Sequence, residues 1–75
     1  MVKEDRLVTL SARNHLKGEI TDVLLGTVTT LVTIKVGDNV VESVITRNSA
    51  EGMKLKKGDK VTAVIKATEV MVQKD

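Results

Sequence analysis

The sequence predicts an all-β domain with one short helical turn, and three features of its composition support that prediction. Valine, isoleucine and threonine, which pack well on a pleated sheet, account for 26 of the 75 residues. Proline is absent, so no apolar run is excluded from the interior of a sheet on that account. Five glycines separate the apolar runs, which is typical of turns and bulges between strands.

Alternating apolar and polar residues predict five strands, because successive side chains of a strand point to opposite faces. Residues 37–39 (Gly-Asp-Asn) predict a tight hairpin turn between the third strand and the fourth. Residues 68–72 either continue the fifth strand or form a separate edge. The five strands are Leu7–Leu10, Leu16–Leu25, Thr27–Val36, Val40–Thr46 and Lys60–Lys66.

The same alternation assigns side chains to the faces of two strands. In the third strand, Thr30 is the polar exception on a face otherwise formed by Val28, Val32, Ile34 and Val36. In the second strand, one face is formed by Leu16, Gly18, Ile20 and Leu24.

A single helical turn is predicted between the fourth and fifth strands. Asn48 or Ser49 can cap it, and it extends to about Met53, with Gly52 limiting its length. Five strands with a short helix before the last predict a small, closed or partly open barrel of the OB type. A small β-sandwich is the alternative, because period-2 patterning does not distinguish the two.

The length of the chain allows one domain, spanning residues 1–75 with a core at about 7–73. A monomer of this size buries only roughly 60% of its unfolded surface, so its core is marginal. The chain has no cysteine for disulfides, and its single histidine, His15, cannot build a metal site alone. We therefore expect subunit association to complete the fold.

Charge and hydropathy indicate a soluble cytoplasmic protein with neither a membrane nor a nucleic acid as partner. Twelve basic and ten acidic residues give a net charge of +2, too small to predict a nucleic-acid footprint. The N-terminus is charged and lacks the apolar core of a signal peptide. No run approaches the roughly 18 apolar residues that a membrane span requires.

The residues that usually carry catalysis are missing or scattered, so we do not expect an enzyme. Three serines share one potential base, His15, without an obvious orienting carboxylate. No glycine-rich phosphate loop occurs, and the carboxylates show no spacing that predicts metal binding by direct protein ligands. The densest basic run is Lys54, Lys56, Lys57 and Lys60, yet the chain has no aromatic residue on which a nucleic-acid base could stack.

Three short polar segments favour the binding of a small oxyanion. Arg13 lies between small or hydrogen-bonding residues, and Lys66 follows an apolar strand and precedes Ala67. Small neighbours let backbone N–H groups approach a ligand, and the two cations supply charge. Thr46 and Ser49 add two hydroxyl groups, three residues apart, at the end of a strand.

At these positions the chain resembles the molbindin family, also known as Mop or TOBE-type molybdate-binding domains. The matching motifs are residues 10–18 (LSARNHLKG), 43–49 (SVITRNS) and 63–71 (AVIKATEVM). They occur in the order and with the spacing of the family, and the resemblance covers nearly the whole chain. Each motif alone is weak, but the three together are specific.

The resemblance implies an OB-like barrel that exchanges strands in dimers, three of which form a homohexamer. It implies molybdate and tungstate as ligands at subunit interfaces, with no organic cofactor. One wall of the site would comprise Ser11, Ala12, Arg13, Lys66 and Ala67, and a neighbouring subunit would supply Thr46 and Ser49. Some relatives have serine where this chain has Ala67. A second class of site near symmetry axes would involve Asn14 or Ser43.

The resemblance suggests a free-standing molybdenum store or buffer, and three alternatives stay open. A chain that starts at Met1 with one domain favours the store over a molybdate-sensing module of a larger transporter or transcription factor. An OB-type nucleic-acid-binding domain is the second alternative. The third is a structural oligomer in which the basic residues form salt bridges between subunits.

Overall fold

The computed structural model describes residues 11–75, so the predicted strand at Leu7–Leu10 lies outside the described residues. The described part consists of four strands, one short α-helix and one turn of 3-10 helix. In chain order these are β1 (Asn14–Leu25), β2 (Thr29–Val36), β3 (Asn39–Thr46), α1 (Arg47–Gly52), β4 (Lys60–Ile65) and the 3-10 turn (Ala67–Glu69).

The four strands form one antiparallel sheet in the order β3-β2-β1-β4. β1 is the longest, with 12 residues. Its first half, 14–19, pairs with β4, and its second half, 19–25, pairs with β2. The prediction of a mainly β structure with one short helix is confirmed.

A β-bulge in β1 changes the predicted assignment of faces. The register with β2 shifts between Ile20 and Asp22, which leaves Thr21 as the extra residue. Because one additional residue reverses the alternation, Val23 packs against the core, whereas Leu24 is 63% exposed. The placement of Leu24 on the face of Ile20 was therefore wrong.

The core is small and comprises Ile20, Val32, Ile34 and Ala63, surrounded by half-buried aliphatic side chains. One prediction for the neighbouring β2 segment needs correction. Val28 precedes the strand and is 74% exposed, so it does not belong to the buried face. Thr30 lies on the buried face, as the polar exception that the pattern predicted, and among residues 11–75 its Oγ1 has no hydrogen-bond partner.

The hairpin between β2 and β3 has the predicted tight turn. Val36 pairs with Asn39, so the turn consists of Gly37 and Asp38 alone. Gly37 has φ +60°, the left-handed value that two-residue hairpin turns require and that glycine adopts most readily. Because the turn is this short, it fixes the register of the β2–β3 pair.

The helix begins two residues earlier than a cap at Asn48 would place it. Thr46 is the N-cap: its backbone is extended, and its hydroxyl accepts the N–H of Ser49. The C-terminal prediction was also wrong, because Ala67–Glu69 forms a 3-10 turn and residues 70–75 join no strand. Val70 and Met71 are exposed in this segment.

The sheet leaves an apolar groove between its two edge strands. Among residues 11–75, β3 and β4 each pair on one side only, and their inward residues line a groove of about 390 Å³ over the core. Edge strands that flank an apolar groove offer unpaired backbone groups and uncovered side chains to a further strand. The half-buried groove residues include Val41, Ile45, Val61 and Ile65.

Candidate oxyanion-binding site

Two of the predicted segments meet at one end of the β1–β4 pair, which we call the loop end: Ser11–Arg13, Lys66 and Ala67. Asn14 and Ile65 form the last pair of the ladder between these strands. Arg13 precedes β1 and Lys66 follows β4, so both cationic residues lie just beyond the final pair. The antiparallel register therefore brings together residues that are 53 positions apart in the sequence.

Two side chains of β1 form hydrogen bonds to backbone carbonyls at the loop end. The amide Nδ2 of Asn14 donates to the carbonyl oxygen of Ile65, 3.1 Å away. The Nε2 atom of His15 lies 3.1 Å from the carbonyl oxygen of Ala12, and because a carbonyl can only accept, the imidazole is the donor. Sequence reasoning assigned neither role. The only available signal was the position of two hydrogen-bonding side chains directly after the predicted binding segment.

The loop end exposes its charged groups and buries its smallest side chain. Ser11, Arg13, Lys66 and Ala67 are exposed, whereas Ala12 is only 7% exposed. Within residues 11–75, the ammonium group of Lys66 has neither a hydrogen bond nor an ion pair. A cation without a carboxylate partner is available to an incoming anion.

Thr46 and Ser49 form a separate hydroxyl pair at the start of α1. The Thr46 hydroxyl donates to Ser49 Oγ at 2.9 Å and accepts the Ser49 N–H at 3.0 Å. Both side chains are exposed. The two hydroxyls carry two protons and use one in the hydrogen bond between them, so one proton of the pair remains to be donated to a ligand. These bonds satisfy the helix cap within one chain and link it to no residue of the loop end.

Two further polar residues near these segments have other surroundings. Arg47, inside the motif at 43–49, donates to Glu51 at 3.0 Å and to the carbonyl of Gly26 at 3.2 Å, so its guanidinium braces the helix. Ser43 lies on β3 in the apolar groove, whereas Asn14 is at the start of β1. The second site predicted for Asn14 and Ser43 stays a prediction.

At the opposite end of the β1–β4 pair, lysines face carboxylates; we call this the paired end: Glu19, Lys56, Asp59 and Lys60. Lys60 Nζ lies 2.6 Å from Glu19 Oε1, and Lys56 Nζ lies 3.1 Å from Asp59 Oδ1. The hydrogen bond from Lys60 lowers the pKa of Glu19, and the backbone N–H of Lys56 lowers the pKa of Asp59. Two lysines of the basic run are thus already neutralised.

The described part of the chain offers little to a metal ion. Among residues 11–75, no three histidine, aspartate or glutamate side chains converge on one point. In the same range, no helix is long and apolar enough to cross a membrane.

The fold defines a class of protein: a small antiparallel β domain with one short helix. The chain belongs to the TOBE domain family, whose model matches residues 10–72. Within that family it resembles the Mop proteins, as its three motifs predicted. Molybdenum-pterin-binding protein 3 of Clostridium pasteurianum is 42% identical over 66 residues, which cover 87% of this chain and 97% of that protein.

Solved structures of molybdate-binding proteins are also similar to this chain. A molybdate-binding protein from Sporomusa ovata matches with a TM-score of 0.85 and 34% identity, over 89% of this chain and 100% of that one. The cytoplasmic molybdate-binding protein ModG, solved with molybdate bound, matches with a TM-score of 0.74 and 34% identity. That match covers 80% of this chain and 43% of ModG.

Proposed function

We propose that this protein binds molybdate, and also tungstate, reversibly and without chemical conversion. The observation that carries the proposal is the loop end: Arg13 and Lys66 both lie just beyond the last pair of the β1–β4 ladder, and Lys66 has no ion pair within residues 11–75. Relatives described as molybdenum-pterin-binding and molybdate-binding proteins give the oxyanion its identity.

Each residue of the proposed site has a chemical role. Arg13 and Lys66 offset the charge of the dianion, and Ser11 donates a hydroxyl hydrogen bond. Ala12 and Ala67 contribute backbone N–H groups, to which their small side chains allow close approach. Since this chain has Ala67 where some relatives have serine, it lacks one side-chain donor at this point.

We propose that Thr46 and Ser49 of a neighbouring subunit complete the donor set. Within one chain their hydrogen bonds serve the helix cap, and they are exposed to a partner. A site shared between subunits accounts for binding residues that lie in two separate groups in each chain.

A cage built only from donors discriminates among tetrahedral anions. Molybdate is larger than sulfate, so donors set at a fixed spacing make stretched or missing hydrogen bonds to the smaller ion. Phosphate, when it carries a proton, presents an O–H that a cage of donors cannot accept. We therefore expect molybdate and tungstate to be preferred over both.

We further propose that the whole chain is one OB-like domain that exchanges a strand with a second copy, and that three such dimers form a hexamer. The apolar groove between β3 and β4 supports a fifth strand there, since a closed barrel needs one more strand to join the two edges. Native mass spectrometry of the ligand-free protein tests this: we expect six chains per particle. A monomer at micromolar concentration would contradict strand exchange.

The cellular role that we propose is a cytoplasmic molybdenum store or buffer rather than an enzyme. A molybdate-sensing regulatory module is the alternative, because it would use the same site. A nucleic-acid-binding role is less well supported, since Lys56 and Lys60 of the basic run are paired with carboxylates.

Calorimetric titration with molybdate, tungstate, sulfate and phosphate tests the proposed function. We expect saturable binding of the first two anions and a strong preference over the other two. An equal response to all four, or no response to molybdate, would contradict the proposal.

A further inference from the structure

We propose that Asn14 and His15 are positioning residues that set the affinity and the anion selectivity of the loop end. This inference rests on the proposed function and deepens it. Neither side chain needs to touch the ligand: each holds a backbone carbonyl, and through it a residue that does.

Each of the two side-chain hydrogen bonds ends on the carbonyl of the residue that directly precedes a cationic residue. His15 binds the carbonyl of Ala12, the residue directly before Arg13. Asn14 binds the carbonyl of Ile65, the residue directly before Lys66. Two consecutive side chains of β1 therefore hold the peptide units that lead into both cationic residues.

Holding a carbonyl fixes the orientation of the whole peptide unit. Peptide bonds are planar, and no cis bond occurs among residues 11–75. The C=O and N–H of each unit consequently point in opposite directions. With the Ile65 carbonyl directed to Asn14 on β1, the N–H of Lys66 is directed away from β1. The Cα atom of Lys66 lies in the same plane.

The β1–β4 ladder ends next to the loop end, which explains why side chains are needed to hold the backbone there. The β1–β4 ladder ends at Asn14 and Ile65, so Arg13 and Lys66 lie outside it. Strand ends without further ladder bonds fray most easily. Asn14 is half-buried and Ala12 is buried, so these hydrogen bonds are partly shielded from water. They restrain the loop end where the sheet no longer does.

A matched pair of variants at His15 isolates the hydrogen bond. His15→Phe keeps a planar ring but removes the donor, whereas His15→Gln keeps a side-chain N–H that can reach the Ala12 carbonyl. Calorimetry should show molybdate bound roughly tenfold more weakly by His15→Phe, as is common when a residue that orients a binding group is lost. His15→Gln should retain most of the affinity.

Selectivity separates positioning from a general effect on the fold. A loosened cage adapts more readily to a smaller anion, so the ratio of molybdate to sulfate affinity should fall in His15→Phe. Asn14→Leu, which removes the donor at similar volume, should lower the same ratio. Thermal unfolding and native mass should stay close to those of the parent protein. Thr62→Val, a neutral change at an exposed position of β4, is the control.

The outcomes distinguish the inference from the proposed function. If the parent protein does not bind molybdate, the proposed function fails. If it binds and His15→Phe binds equally well, the function stands and the positioning role is overturned. If His15→Phe is weakened but His15→Gln is weakened equally, the donated hydrogen bond is not the cause, and the inference is again overturned.

Discussion

The two ends of the β1–β4 pair use lysine in opposite ways. At the paired end, Lys60 and Lys56 each contact a carboxylate, at 2.6 Å and 3.1 Å. At the loop end, the ammonium group of Lys66 contacts no carboxylate of residues 11–75, and the neighbouring backbone is held by an amide and an imidazole. Both ends belong to the same two strands.

The difference shows that the placement of acidic residues, and not only the density of lysines, decides which ammonium groups lack a carboxylate partner within residues 11–75. By density alone, the run at residues 54–60 is the strongest basic feature of the chain. Its salt bridges are exposed and contribute little to stability, but they lower the net charge offered to an anion. The loop end has fewer cations, and its backbone is held by the side chains of Asn14 and His15.

The largest expected effect comes from removing a cation at the loop end. Arg13→Ala or Lys66→Ala should weaken molybdate binding about a hundredfold, which corresponds to about 2.7 kcal/mol and is typical of hydrogen bonds to charged groups. Calorimetry provides the measurement. Lys60→Ala, at the paired end of β4, is the matched control.

Two results would contradict this contrast between the ends. Lys60→Ala could weaken binding as much as Lys66→Ala, which would move the site toward the paired end. Alternatively, Lys66→Ala could dissociate the oligomer, as seen by native mass spectrometry, which would favour the purely structural role of the basic residues.

The next largest expected effect is a loss of stability when Gly18, which lies on β1 between the two ends, is replaced. A Cβ on Gly18 would lie 2.5 Å from the backbone carbonyl oxygen of Lys35 and 2.8 Å from the Ile34 side chain. Because backbone must move to relieve that clash, Gly18→Ala should lower the free energy of unfolding by about 2 kcal/mol. Chemical denaturation measures it.

Gly52→Ala is the control for that substitution. A Cβ on Gly52, the last residue of α1, meets no atom within 4 Å. Alanine is the better helix former, so stability should be unchanged or slightly higher. Equal destabilisation by both substitutions would show that the close approach at Gly18 is not the cause.

A smaller effect, a gain in the free energy of unfolding, is expected from replacing Thr30, which belongs to neither the loop end nor the paired end. Its hydroxyl is fully buried and has no hydrogen-bond partner among residues 11–75, and burial of such a group costs about 1–3 kcal/mol. Thr30→Val preserves the shape of the side chain and should raise the free energy of unfolding by about 1 kcal/mol, with molybdate affinity unchanged. A loss of stability would show that the hydroxyl has a partner in the assembled protein.

The smallest expected effect is a decrease in thermal stability at low pH. Lys60 lowers the pKa of Glu19, and the N–H of Lys56 lowers the pKa of Asp59. Groups with a lowered folded-state pKa stabilise the fold above their unfolded pKa, and that contribution is lost as the pH falls. The melting temperature should therefore decrease slightly from about pH 5 to pH 3. Asp59→Asn should show a smaller decrease over that range; an unchanged acid dependence would contradict the assignment.

The sequence predicted the mainly β structure well because its alternating runs reflect which side chains reach the core. It failed where one residue alters the alternation: the bulge at Thr21 turns Leu24 outward, and nothing in the local pattern marks it. The helix start was misplaced because Thr46, Asn48 and Ser49 are all good caps, and only backbone geometry selects Thr46.

The candidate site was predictable in its residue types but not in its support. Arg13 and Lys66 were identified from their small neighbours and from the family motifs. Their juxtaposition depends on the register of Asn14 with Ile65, which residues 51 positions apart do not reveal locally. The roles of Asn14 and His15 depend on that register and on two hydrogen bonds, so they emerged only from the folded chain.

The most direct test of the account is to locate bound molybdate by NMR on the isotope-labelled protein. Titration should shift the amide signals of Arg13, Lys66 and Ala67 at the loop end, together with that of Ser49. The signals of Glu19 and Lys60 at the paired end should remain unchanged. Shifts confined to Glu19 and Lys60, with the loop end unaffected, would contradict the account.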